Sequence, residues 1–165
     1  MSSSTAKRLI LYRFDRQPVE AFVQAGAYLL DVGIELMLLD GNIQVIDYNS
    51  VKAICFAVES APADLFSTAT SFERRPKTPG LWTSFRLRDD DLLEGVLPHN
   101  ILEWPPQGYF LTPPRSNAFR QRVFLPRQAV RDTALLGLVG KANALAGKTA
   151  KKVEIDPGHQ LSMFD

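Results

Sequence analysis

The chain has 165 residues, 19 Lys and Arg against 18 Asp and Glu, a formal net charge of +1 and 45% hydrophobic residues. That length suits one domain or two very small ones, and the apolar share is enough for a packed core. Near-neutral charge excludes a strong global attraction to nucleic acid or anionic membrane, and the lone Cys55 excludes an intramolecular disulfide.

The first eight residues, MSSSTAKR, hold no apolar run of the kind a secretory leader needs. No stretch of the chain reaches the roughly 18 apolar residues of a spanning helix. A soluble, cytoplasmic protein is expected.

From residue 8 the sequence reads as short strands with turns between them, at 8–14, 19–24, 34–39, 42–47 and 51–58. Asp40-Gly41 stands between two apolar runs, the strongest short-range signal for a hairpin. Cys55 sits in the apolar run Ala53–Val58, which predicts a buried thiol. Ser60–Gly80 has linker chemistry, opening on Ala61-Pro62-Ala63-Asp64 and closing on Arg74-Arg75-Pro76-Lys77-Thr78-Pro79-Gly80. Within it, 64–74 could form a short helix or turn. Strands resume at 82–88, 92–97, 108–112, 121–125 and 129–136. Beyond them Leu138, Ala142, Leu145 and Ala146 recur at helical spacing, weakened by Gly137, Gly140 and Gly147. A marginal helix and then a flexible tail are expected there.

The two sets of strands are copies of one pattern. Asp15–Val23 aligns with Asp89–Leu97, Gly33–Met37 with Gly108–Thr112, and Val45–Lys52 with Phe124–Arg131. Order is kept, and spacing grows mainly across Pro113–Arg120, where a longer hairpin loop costs little. The fold class expected is mostly β. Two tandem small antiparallel barrel-like repeats, 1–60 and 81–136, would be joined by a linker at 61–80 and followed by a helix and tail at 137–165. Five short strands suggest a closed or half-closed barrel, and halves this small must pack together or share strands to bury a core.

The runs Pro79-Gly80-Leu81-Trp82, Leu93-Glu94-Gly95-Val96-Leu97-Pro98, Gly108–Pro114 and Arg122–Arg127 resemble an uncharacterised bacterial family of small β-barrels. Each half also looks like an Sm- or SH3-type barrel, in which a strand pair carries an acidic-Gly turn, here Glu94-Gly95. The resemblance implies a fold and no activity. The Ile-Arg-Gly-like turn of RNA-binding Sm proteins is replaced here by Tyr48-Asn49-Ser50 and Arg127-Gln128-Ala129.

The sharpest functional signal is the C-terminal sequence. Gln160-Leu161-Ser162-Met163-Phe164 resembles the peptide by which bacterial replication and repair proteins bind the DNA polymerase sliding clamp. The logic is an extended segment whose apolar anchors, Leu161 and Met163-Phe164, fill pockets while the Gln160 amide fixes register. Met163 stands where Leu is usual, and an unbranched thioether fills the same kind of pocket. Pro157-Gly158 breaks any structure ahead of it. The competing reading is that these apolar residues fold back over a barrel edge.

A second signal is local charge. Between Pro105 and Arg131 there is no acidic residue, whereas Arg115, Arg120, Arg122, Arg127 and Arg131 are basic. With Arg74, Arg75 and Lys77 they could form a face for a phosphate backbone, Arg120 and Arg122 sharing one strand face. The plainer reading is that they solvate and protect an edge hairpin.

Other constellations fail. Gly147-Lys148-Thr149 ends like a phosphate-binding loop, but Ala142 stands at its first glycine and no βαβ unit surrounds it. His99 and His159 are the only histidines, and no nucleophile, metal or redox motif is present. Asp89-Asp90-Asp91 reads as a solvated turn, and Trp82, Phe85 and Trp104 as packing. The expectation is a non-enzymatic adaptor without cofactor or metal, docking on the sliding clamp through its tail. The alternative is a nucleic-acid-binding module using the arginine-rich face.

Overall fold

The computed structural model describes residues 6–59, 65–66, 70–117 and 120–140. They form ten strands: β1 (Ala6–Arg13), β2 (Val19–Gln24), β3 (Gly33–Leu38), β4 (Ile43–Asp47), β5 (Val51–Phe56), β6 (Gly80–Leu87), β7 (Leu92–Leu97), β8 (Gly108–Leu111), β9 (Arg122–Pro126) and β10 (Val130–Val139). Short 3-10 turns lie at Tyr48–Ser50, Ile101–Glu103 and Arg127–Ala129. The fold is mostly β, and each strand forms within a few residues of where the sequence places it. Among the described residues no helix is long and apolar enough to cross a membrane. The expected helix does not begin at 137: Gly137, Leu138 and Val139 continue β10, opposite Trp82, Leu81 and Gly80. The rest of that helix and the tail, 141–165, lie outside the described residues, as do parts of the 61–80 connector.

Two antiparallel sheets result. One has seven strands in the order β4-β3-β2-β1-β5-β9-β8, and the other three in the order β10-β6-β7. Neither closes into a barrel, so the closed alternative is corrected. β9 keeps its neighbour β8 and pairs along its other edge with β5, with Ile54 opposite Phe124, Cys55 opposite Val123 and Phe56 opposite Arg122. The β8–β9 pair thereby joins the sheet of the first half, and a single bridge, Val96 opposite Thr112, links it to β7.

The pairing scheme nevertheless repeats residue for residue. Leu9 opposite Ala21 and Ile10 opposite Glu20 have counterparts in Thr83 opposite Gly95 and Ser84 opposite Glu94. Leu11 opposite Ile54 corresponds to Phe85 opposite Thr133, and both ladders shift register at the matching place, just before Arg13 and beside Val130; the β10–β6 ladder shifts a second time between Leu135 and Gly137. Gly33 opposite Asp47 corresponds to Gly108 opposite Pro126. The glycine is required at both places. A Cβ on Gly33 would stand 2.3 Å from the Ile46 carbonyl oxygen, and one on Gly108 would stand 2.2 Å from that of Leu125. Glu94-Gly95 lies inside β7, not in a turn, because Gly95 must admit the Leu111 side chain.

The connections follow local chemistry. Gly41 takes φ +89°, its N–H bonds the Leu38 carbonyl at 2.9 Å, and the Asp40 carboxylate accepts from the Asn42 N–H at 2.9 Å. This is the hairpin that Asp-Gly encodes. Tyr48 and Arg127 open equivalent 3-10 turns and reach equivalent loops: the Tyr48 hydroxyl donates to the Leu30 carbonyl, and Arg127 Nε donates to that of Pro106 at 2.7 Å.

Two cores sit on opposite faces of the central strands. Leu9, Leu11, Ile54 and Phe124 belong to one, with Ala21, Ile34, Leu36 and Ile46. Ile10, Tyr12, Ala53, Cys55, Val123 and Leu125 belong to the other, with Phe85, Leu87, Leu93 and Leu111. This explains the unbroken apolar runs Leu9-Ile10-Leu11-Tyr12 and Ala53-Ile54-Cys55-Phe56, since a strand covered on both sides loses the alternation of a half-exposed one. The connector takes part: Leu65 is buried in the second core, and Phe66 meets Tyr12 edge-on at 5.7 Å.

Candidate functional site

A basic cleft of about 400 Å³ lies between the end of the connector and the β8–β9 loop. Arg74, Arg75, Lys77 and Arg115 line it with a single carboxylate, Glu73. Pro76, Pro113 and Pro114 stiffen its walls, each ring fixing a backbone torsion. Arg115 occupies a left-handed turn position, φ +53°, and its guanidinium binds Glu73 at 2.6 Å with both side chains largely exposed. Arg75 donates to the Leu138 carbonyl of β10. Behind the wall, Phe72 packs edge-on against Trp82 at 6.4 Å, and the Trp82 indole N–H donates to Glu94 at 2.7 Å. Four cations against one anion, on a surface otherwise near neutral, form an anion-attracting concavity.

Of the five candidate arginines of the second half, only Arg115 joins Arg74, Arg75 and Lys77. Arg120 is buried, at 9% exposure, ahead of β9 and near enough to Cys55 for its charge to act on the thiol. Arg122 is exposed on β9 and stacks over Phe110, 4.3 Å from the ring centroid. The expected shared strand face of Arg120 and Arg122 is therefore corrected. Arg127 lies over Tyr109 at 5.4 Å. Arg131 is bound by Asp90 at 2.7 Å, so an acid distant in sequence neutralises it. Gln160, Leu161, Ser162, Met163 and Phe164 lie outside the described residues.

A charged knot that the sequence did not announce joins the halves. Lys52 of β5 is 7% exposed and binds Asp89 at 2.6 Å and Asp91 from the β6–β7 turn. Its ammonium also sits 4.0 Å from the Phe66 ring centroid. Burial works against the Lys52 charge, yet the two aspartates outweigh it and hold its pKa above the usual value. Burial likewise opposes the Asp89 charge, and the Lys52 hydrogen bond, helped by the Asp91 backbone N–H, holds that carboxyl below the usual range. Asp89, Asp90 and Asp91 thus clamp Lys52 and Arg131, where the sequence suggested a solvated turn. Among the described residues no group of His, Cys, Asp and Glu could hold a metal ion. Cys55 is buried and in no disulfide, and burial pushes its thiol up to about 11, with Arg120 pulling the other way.

Residues 5–137, all but the last two residues of the ten-stranded body, match a family of unknown function, DUF6982. The chain belongs to that family. The DUF6982 match takes in the basic cleft and the Lys52 knot and ends before Gln160. No curated protein and no solved structure matches the chain.

Proposed function

We propose that this protein is a non-enzymatic adaptor that docks on the DNA polymerase sliding clamp through Gln160–Phe164, its two Sm/SH3-like halves serving as the scaffold. The observation that carries the reading is the peptide itself: Gln160, an aliphatic anchor at Leu161, small Ser162, and the pair Met163-Phe164, set after Pro157-Gly158. The Sm/SH3 likeness rests on the repeated register and on the 3-10 turn ahead of β5 and of β10. A body of unknown-function family joined to a docking peptide is the organisation an adaptor needs.

The test is a titration of a labelled peptide covering residues 155–165 against purified clamp. Short segments give up ordering entropy on binding, so the expected Kd is on the order of micromolar. Leu161→Ala and Phe164→Ala should each cost about 1–3 kcal/mol, and Gln160→Ala should weaken binding through a lost hydrogen bond. Met163→Leu should hold or improve it, because volume is nearly conserved. No binding at hundreds of micromolar clamp, or binding indifferent to Leu161 and Phe164, would overturn the reading.

A second reading is supported by the basic cleft, whose four cations suit a nucleic-acid phosphate backbone. On this reading Arg74→Glu with Arg115→Glu should weaken binding to single-stranded oligonucleotides at low salt and lower the salt dependence by about one charge per lost phosphate contact. Absence of binding by the wild type at low salt would retire it.

A further inference from the structure

The junction between β5 and β9 is the seam by which one half of this chain adds to the other. Ile54, Cys55, Phe56, Val123 and Phe124 are all buried there, at 7% exposure or less. The repeated register makes β10 the counterpart of β5 and β4 the counterpart of β9. The chain therefore carries a second pair of such edges that do not meet each other. Among the described residues β10 pairs only with β6, and β4 only with β3.

Carried over to these edges, the β5–β9 register sets Thr133 opposite Val45, Ala134 opposite Gln44 and Leu135 opposite Ile43. Both edges are apolar where a solvated edge strand would carry lysine or proline. Ile43 is 68% exposed, Val45 49%, Leu135 65% and Leu136 45%. The limits of the seam are marked as well. Arg75 occupies the Leu138 carbonyl at the far end of β10, and the Asp40 carboxylate takes the Asn42 N–H just ahead of β4.

We propose that a second copy of this chain covers these edges, β10 of one copy lying antiparallel along β4 of the next and repeating between copies the junction that β5 and β9 make within one. The occupant follows from continuity with that internal seam, since the edge complementary to β10 is the one this same chain presents at β4. Each copy offers one edge of each kind, so the contact is head-to-tail and either closes into a ring or runs on as a fibre.

Light scattering on the full chain eluting from a sizing column tests this over a wide concentration range. The wild type should elute at two or more times the 18.4 kDa of one chain. Val45→Lys and Leu135→Lys change exposed side chains, so both variants should keep the wild-type circular dichroism, and each should be monomeric. Their equimolar mixture should give a species of two chains and none larger, because the first retains a sound β10 edge and the second a sound β4 edge. A wild type monomeric throughout, oligomers that survive either substitution, or a mixture that stays monomeric would overturn the proposal. So would a monomer that assembles only once residues 141–165 are removed, because the edge would then be covered by the chain's own C-terminal segment.

Discussion

Lys52 shows what a single residue does for this fold. It is a buried cation that closes a gap between halves, and the two aspartates that hold it come from a turn 37 to 39 residues further along the chain. Replacing Lys52 with Met should destabilise the protein by about 1–2 kcal/mol, below the roughly 3–5 kcal/mol of a fully buried pair, because Asp89 and Asp91 remain partly hydrated. Its titration adds a pH signature. Lys52 is held above its ordinary value of 10.5, and burial, with the Asp31 charge behind it, pushes Tyr48 up to about 12. A group with a raised folded pKa contributes stability below its unfolded value and loses that contribution as pH climbs through the folded one. Asp89, depressed from 3.8, contributes above the unfolded value and loses it as pH falls through the folded one. Urea unfolding midpoints should stay level through neutral pH, fall above about pH 9, where the raised Cys55 begins to count and Lys52 and Tyr48 follow, and fall again below about pH 4. Lys52→Met should flatten part of both limbs, and unchanged limbs would remove the knot from the account.

At the scale of the elements, the duplicated register turns on two glycines. A Cβ at Gly33 or at Gly108 meets a backbone oxygen, which cannot swing aside as a side chain can. Gly33→Ala and Gly108→Ala should each lower stability by about 1–3 kcal/mol or more, against a few tenths for alanine at the open turn of a surface loop. Equal, negligible costs at both positions in thermal melts would contradict the pairing. These strands were legible because their signals are local: Asp40-Gly41 set a hairpin, and the aligned Gly33 and Gly108 set matching strand starts. Glu94-Gly95 misled for the opposite reason, since Gly95 answers to Leu111, a contact invisible in the neighbouring sequence.

For the whole molecule, the sequence carried the number and order of strands but not which edges meet. The unbroken apolar runs of β1 and β5 held a hint, because strands buried on both faces need a second layer, here the sheet of β6, β7 and β10. Charge was legible only as composition. The acid-free stretch from Pro105 to Arg131 suggested one basic face, yet Glu73 and Asp90 return from distant turns to bind Arg115 and Arg131, and Arg120 is buried. What forms the cleft is the meeting of the connector with the β8–β9 loop, a long-range event that no window of sequence contains. The adaptor reading requires that the docking peptide work while joined to this body. Displacement of the labelled 155–165 peptide from the clamp by the unlabelled full chain measures that directly. The wild-type chain should displace it completely, with an affinity within about tenfold, or 1.4 kcal/mol, of the free peptide. The Leu161→Ala, Phe164→Ala double variant should displace none. A full chain that leaves the peptide bound, or a double variant that competes as well as the wild type, would contradict the account.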